Sequence, residues 1–217
     1  MRDEEGFDEW SDTYDESVKE TEAAQKYPFA GYQTVLRTVY HKIDTEKQPS
    51  VLDFGFGTGK LTKKLYDSGC RISGIDFSIK MVETAQEKMP EAKLVQADFS
   101  KGLPQELRGE NFDAVISTYA FHHLTDEQKA AFLRELLQYL KPQGKIIIGD
   151  VMFRTLAERE ACREKSGDDW DSSEHYLVFD QLKPLFPAAV FQKISFCAGI
   201  LTLSKESSCK GANHESL

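Results

Sequence analysis

From about residue 50 onward, short runs of consecutive apolar residues alternate with longer segments in which apolar residues recur every three or four positions. The short runs read as strands buried on both faces, the longer segments as helices burying one stripe. Strands are expected at 50–54, 71–75, 93–97, 112–117 and 145–151. A helix is expected at 60–67, with Leu61 and Leu65 inward and Gly69 suited to its C-terminal cap. Ser78 opens a second helix carrying Met81, Val82 and Ala85, which Pro90 stops. Thr125 and Gln128 form a capping box for a third, which should bury Phe132, Leu133, Leu136, Leu137 and Leu140 and end at Pro142. Strands alternating with helices imply βαβ units, hence a mostly parallel sheet with helices on both faces.

The flanks read differently. A helix pattern at 32–43 sets Val35, Leu36, Val39 and Tyr40 on one side. After the fifth strand, residues 154–178 are charged and irregular, with one helix expected at 156–165. Strands at 190–196 and 199–204 are close enough to form a hairpin, and the tail 205–217 is polar and expected to be disordered. Residues 1–30 are acidic but carry Phe7, Trp10, Tyr14, Tyr27 and Phe29, too aromatic for a solvated tail. They read as a cap segment ahead of one domain at 31–204.

The net charge of −9, with basic residues scattered as in Lys63-Lys64, argues against a nucleic-acid partner. No run approaches the ~20 apolar residues that span a bilayer, and the acidic MRDEEGFDEW has no apolar leader core, so a cytoplasmic location and no membrane partner are expected. The four cysteines form no C-x-x-C pair and no histidines show ligand spacing, so no metal is expected.

Candidate chemistry concentrates at the carboxyl ends of the first strands. Strand one runs into Asp53-Phe54-Gly55-Phe56-Gly57-Thr58-Gly59 and then a helix. Such glycines permit close backbone approach to a ligand. Strand two ends in Asp76, placed to accept ribose hydroxyls. Strand three ends in Asp98-Phe99, where a carboxylate can accept from an adenine amino group and a ring can cover the base. The dinucleotide fingerprint is G-x-G-x-x-G; here the glycines alternate, and Asp53 ahead of them would repel a pyrophosphate while suiting an ammonium or sulfonium.

With VLDFGFGTGKL (51–61), GIDFSIKMVETA (74–85), LVQADF (94–99), FDAVISTYAFHHL (112–124) and LKPQGKIIIGD (140–150) in this order, the chain resembles class I S-adenosylmethionine-dependent methyltransferases of the small-molecule type. The resemblance covers about half the chain. It implies a Rossmann-like, doubly wound α/β fold: a mostly parallel seven-stranded sheet with a C-terminal antiparallel hairpin and an N-terminal helical extension. It implies S-adenosylmethionine as cofactor, with Gly55 and Gly57 along the methionine moiety and adenosine, and Asp53 near the amino group. It sets Asp76 at the ribose, Phe77 and Met81 beside the adenine, Asp98 and Phe99 at its edge, and Thr118 by the methionine part or acceptor. Tyr14 resembles a tyrosine that closes over the cofactor. Ser117-Thr118-Tyr119-Ala120-Phe121 stands where enzymes acting on base or glutamine amino groups carry a Pro-Pro motif, which favours a small-molecule acceptor.

The catalytic residues are not fixed by these motifs. His122, His123 and Tyr14 are candidates, and Trp170, His175 and Tyr176 are candidate lid residues. A non-catalytic S-adenosylmethionine sensor or partner subunit and a nucleotide-dependent oxidoreductase remain alternatives, and monomer and homodimer are both open.

Overall fold

The computed structural model describes residues 21–205. Phe7, Trp10, Tyr14, Cys209 and most of the expected tail lie outside them. Among the described residues no helix is long and apolar enough to cross a membrane.

Seven strands form one sheet in the order β3-β2-β1-β4-β5-β8-β7. They are β1 Ser50–Phe54, β2 Arg71–Asp76, β3 Lys93–Gln96, β4 Phe112–Thr118, β5 Leu140–Phe153, β7 Val190–Lys193 and β8 Ala198–Ser204. A two-residue strand, β6 Leu177–Val178, pairs in parallel with Met152 and Phe153 at the end of β5. β1 to β5 run parallel, while β8 inserts antiparallel between β5 and β7. This is the doubly wound α/β class with the expected C-terminal hairpin. The reversal of strand order between β1 and β4 opens a crevice at the carboxyl ends of the strands, where such sheets bind ligands.

The helices are α1 Tyr32–His41, α2 Lys60–Asp67, α3 Ile79–Lys88, α4 Asp126–Gln138, α5 Leu156–Ser166 and the short α6 Phe179–Leu182. Their stripes feed two cores, one on each face of the sheet. Tyr32, Val35, Leu36 and Val39 of α1 join Leu61, Leu65 and Met81 on one face. Phe132, Leu133 and Leu136 of α4 join Leu52, Phe54 and Ile148 on the other.

Element ends shift by a residue or two in several places, and three larger departures from expectation have a physical reason or a new element behind them. α4 stops at Gln138, and Leu140 opens β5 opposite Phe112. Pro142 disfavours helical backbone at the residue before it, so the chain goes extended early. β7 ends at Lys193 because the Ile194 and Ser195 N–H groups both donate to the Ala198 carbonyl, which tightens the hairpin turn. β6 lies in the stretch whose irregular pattern suggested no strand.

Candidate functional site

The glycine loop between β1 and α2 takes a left-handed path: φ is +67° at Gly55 and +54° at Gly57. At Gly55 the Cβ of any other residue would lie 2.3 Å from Ala120 Cβ, so only glycine lets the loop pass the chain after β4. At Gly57 an added Cβ would meet nothing within 4 Å, because the loop there borders open space. The Gly55 N–H donates to the Ile75 carbonyl at 2.7 Å and the Gly57 N–H to Asp76 Oδ2 at 2.7 Å. Asp76 Oδ1 accepts from the Ser78 N–H at 3.0 Å, which fixes the carboxylate at the tip of β2.

A cavity of about 780 Å3, counted out to open solvent, lies above this loop. Gly55, Gly57, Asp76, Phe77, Met81, Phe99, Thr118 and His123 of the expected residues line it. Tyr32, Phe56, Lys60 and Tyr119 line it too and were not expected. Tyr32 belongs to the apolar stripe of α1, and its i, i+3, i+4 relation to Val35 and Leu36 was a usable signal. Tyr119 sits at φ +54°, its ring 5.0 Å from Tyr32 and 5.4 Å from Phe29. A bulky residue in that conformation carries strain of a kind that clusters at functional sites. Nothing in the sequence announces it.

Asp53 lies beneath the loop, 2% exposed, and does not line the cavity. Its Oδ2 accepts from Thr62 Oγ1 at 2.7 Å, while Oδ1 is buried without a hydrogen-bond partner among the described residues. Burial pushes its pKa up to about 7 against the Thr62 bond, and the neighbouring Asp76 charge adds to the rise. Asp98 caps the turn Phe99–Lys101 by accepting the Ser100 N–H at 3.0 Å and pairs with Lys101 at 3.3 Å, outside the cavity lining. Tyr14 lies outside the described residues.

His122 and His123 stand side by side just past β4, ring centroids 4.3 Å apart. Asp150 of β5 accepts from the His122 backbone N–H at 2.9 Å and meets its Nδ1 at 2.7 Å. Burial opposes charge on His122, but Asp150 and then Glu174 outweigh it and hold its pKa above the usual value. His123 Nδ1 meets Glu174 Oε2 at 3.0 Å. Burial raises the Glu174 pKa, yet the histidines bring it below the usual range. Behind them Lys129, 1% exposed, donates to the Leu124 and His175 carbonyls at 2.5 Å each. Its pKa is lowered, chiefly by burial. Nearby, Tyr27 stacks on Trp170 at 5.2 Å and bonds hydroxyl to hydroxyl with Tyr176. Tyr27 and Phe29, two of the five aromatics expected to pack on the sheet, are both buried.

Residues 51–144 match the model of the methyltransferase domain family. An uncharacterized methyltransferase of Geobacillus sp. (strain WCH70) is 38% identical over 175 residues, covering 80% of this chain and 78% of its own. The uncharacterized methyltransferase YrrT of Bacillus subtilis (strain 168) is 34% identical over 194 residues, covering 85% and 87%. Among solved structures, the DhpI complex with S-adenosylhomocysteine superposes with a TM-score of 0.65 at 18% identity, covering 92% of this chain and 94% of that one. Magnesium protoporphyrin IX methyltransferase from Synechocystis PCC 6803 with bound S-adenosylhomocysteine gives 0.62 at 20% identity, covering 80% and 83%. The chain belongs to the class I S-adenosylmethionine-dependent methyltransferases. It is a methyltransferase, S-adenosylmethionine is its cofactor, and the oxidoreductase alternative falls away.

Proposed function

We propose that the enzyme methylates a small molecule, with the cofactor held along the glycine loop and the acceptor entering beside Tyr32, Tyr119 and His123. The observation that carries the cofactor placement is Asp53 Oδ1, buried beneath Gly55 and Gly57 with no hydrogen-bond partner among the described residues. A buried acceptor without a partner costs stability, and an ammonium group reaching it would supply one. Asp76 closes β2 at the rim of the cavity, where a carboxylate can accept from ribose hydroxyls, and two backbone N–H groups fix its orientation. Phe77, Met81 and Phe99 offer an apolar slot for adenine. Asp98 is left to the slot's outer edge, where its competing bonds to Ser100 and Lys101 weaken its claim.

The bound cofactor supplies an electrophilic methyl on a sulfonium. The protein's part is to align an acceptor for in-line displacement, to exclude water, and to face the positive sulfur with aromatic surface, for which Tyr32 and Tyr119 are at hand. The net charge of −9 and Ser117–Phe121 in place of a Pro-Pro motif favour a small metabolite over nucleic acid. A transfer screen with isotopically labelled S-adenosylmethionine, run in parallel against a metabolite extract and total RNA, checks this. Label is expected in small molecules; label entering RNA alone would overturn the acceptor class. The absence of turnover with every acceptor, beside intact S-adenosylhomocysteine binding, would favour a cofactor sensor.

A further inference from the structure

His122, His123 and Glu174 are the one group of three His, Cys, Asp or Glu side chains among the described residues whose donor atoms all lie within 4.8 Å of one another. We propose that these three hold a divalent first-row transition metal, zinc by preference, on the wall of the cofactor cavity.

The donor set is right for that ion. Two imidazoles and one carboxylate with positions left open is the composition of a catalytic rather than a structural zinc site. Zinc–ligand distances of about 2.0–2.2 Å in tetrahedral geometry separate neighbouring donor atoms by about 3.4 Å. His123 Nδ1 and Glu174 Oε2 are 3.0 Å apart, and His122 Nε2 and Glu174 Oε2 are 3.9 Å apart, so the pairs bracket that separation. The three side chains are 14–20% exposed, sheltered yet reachable.

The support behind the donors is equally specific. His122 Nδ1 is taken by Asp150, itself 1% exposed and fixed by the His122 and Val151 backbone N–H groups, which leaves Nε2 as the ligating atom. A carboxylate behind a ligating histidine orients the ring and raises its basicity. Among the described residues, Asp150 and Glu174 lie near one buried ammonium, Lys129, which is tied to two backbone carbonyls and also meets Asp126 at 3.4 Å. The surplus of negative charge suits a dication. The His175 N–H donates to the His122 carbonyl at 2.9 Å, pinning the strand of chain that brings Glu174 across.

Because His123 also lines the cavity, an open coordination position would adjoin the acceptor space. A metal there lowers the pKa of a hydroxyl or thiol bound to it, which is what an acceptor that must lose a proton requires. That use rests on the cofactor placement above; the metal site does not.

The test is calorimetric titration of chelator-stripped protein with zinc chloride, and with cobalt chloride followed by visible absorption. One equivalent of zinc is expected to bind. Glu174→Gln, close in shape to the native residue, and His123→Ala are each expected to weaken it at least tenfold, and Asp150→Asn by about 10- to 100-fold, with thermal melts confirming folded variants. The cobalt spectrum should show tetrahedral bands without thiolate charge transfer, which separates this site from the buried cysteines. S-Adenosylhomocysteine should bind with and without zinc. No uptake, or uptake unchanged in the Glu174 and His123 variants, would show that the cluster only pins residues 174–175 to the turn after β4. Zinc that displaces S-adenosylhomocysteine would put the ion in the cofactor's slot and equally overturn the proposal. Loss of S-adenosylhomocysteine binding with zinc uptake intact would instead strike the cofactor reading alone.

Discussion

The two halves of the carboxyl edge are built differently. Around β1, β2 and β3, chemistry comes from strand tips and turns that follow one another along the chain: the glycine loop, the acid two places ahead of it and, 19 positions beyond Gly57, the acid closing the next strand. Beyond β4, chemistry comes from residues brought together across the chain. His123 meets Glu174 from 51 positions away, and Tyr27 meets Tyr176 from 149. The first half depends on backbone conformation, so one substitution should disable it. The second depends on side-chain convergence, so single substitutions should be absorbed more easily.

The largest expected effect is therefore at Gly55. Gly55→Ala forces a Cβ against Ala120 at 2.3 Å and into positive φ together. Overpacking and a left-handed alanine sum to about 2–4 kcal/mol. A marked fall in melting temperature and loss of measurable S-adenosylhomocysteine binding are expected. Unchanged binding would mean that the loop shifts freely, and the contrast between the halves would collapse.

Next is Asp76→Ala, which removes charge-assisted hydrogen bonds of about 1.5–3 kcal/mol. Affinity for S-adenosylhomocysteine should drop about 10- to 100-fold by calorimetry. The variant also frees the Gly57 and Ser78 N–H groups, so Asp76→Asn serves as a control. An amide still fills the space but cannot accept from both.

The same contrast explains what was legible in advance. β1 and α2 fell on their expected residues because period and caps are local signals, and the Thr125–Gln128 capping box is present in full. Gly55, Asp76, Phe77 and Phe99 converge on one cavity because successive parallel strands carry their tips to one edge. The meeting of Glu174 with His123 was not legible because 51 residues separate them and no spacing rule spans that distance. The role of Tyr119 was not legible, since its positive φ belongs to tertiary packing rather than to its residue type. Leu140 was assigned to α4 from its apolar character, whereas pairing with Phe112 places it in β5.

Asp53 sharpens the comparison through pH. Its folded pKa of about 7 stands above the ordinary carboxylate value. Between about pH 4 and 7 the unfolded chain has lost this proton and the unliganded fold has not, so this group's contribution to stability falls as pH rises across that window. A cofactor ammonium needs the ionised form. Affinity for S-adenosylhomocysteine should rise about tenfold from pH 6 to pH 8 and then level off, with proton release on binding visible as a buffer-dependent heat. Asp53→Asn should flatten the profile. A profile that is flat in the native protein would detach Asp53 from the ammonium.

The smallest effect is expected at Tyr176→Phe, and it tests the other half. Its hydroxyl meets that of Tyr27, which also accepts the Asp171 N–H at 3.2 Å, so the pair ties the segment ahead of α1 to the segment behind Glu174. Burial raises the pKa of both phenols, so each is neutral at physiological pH. Removing one neutral hydrogen bond costs about 1 kcal/mol. The ring's packing against Trp170 at 4.9 Å survives the change. A melting temperature lower by a few degrees is expected, with S-adenosylhomocysteine affinity unchanged within twofold, because no atom of Tyr176 lines the cavity above the glycine loop. If Tyr176→Phe cost as much cofactor affinity as Asp76→Ala, the two halves would be one coupled unit. Convergent side chains would then be as critical to the cofactor as the loop itself.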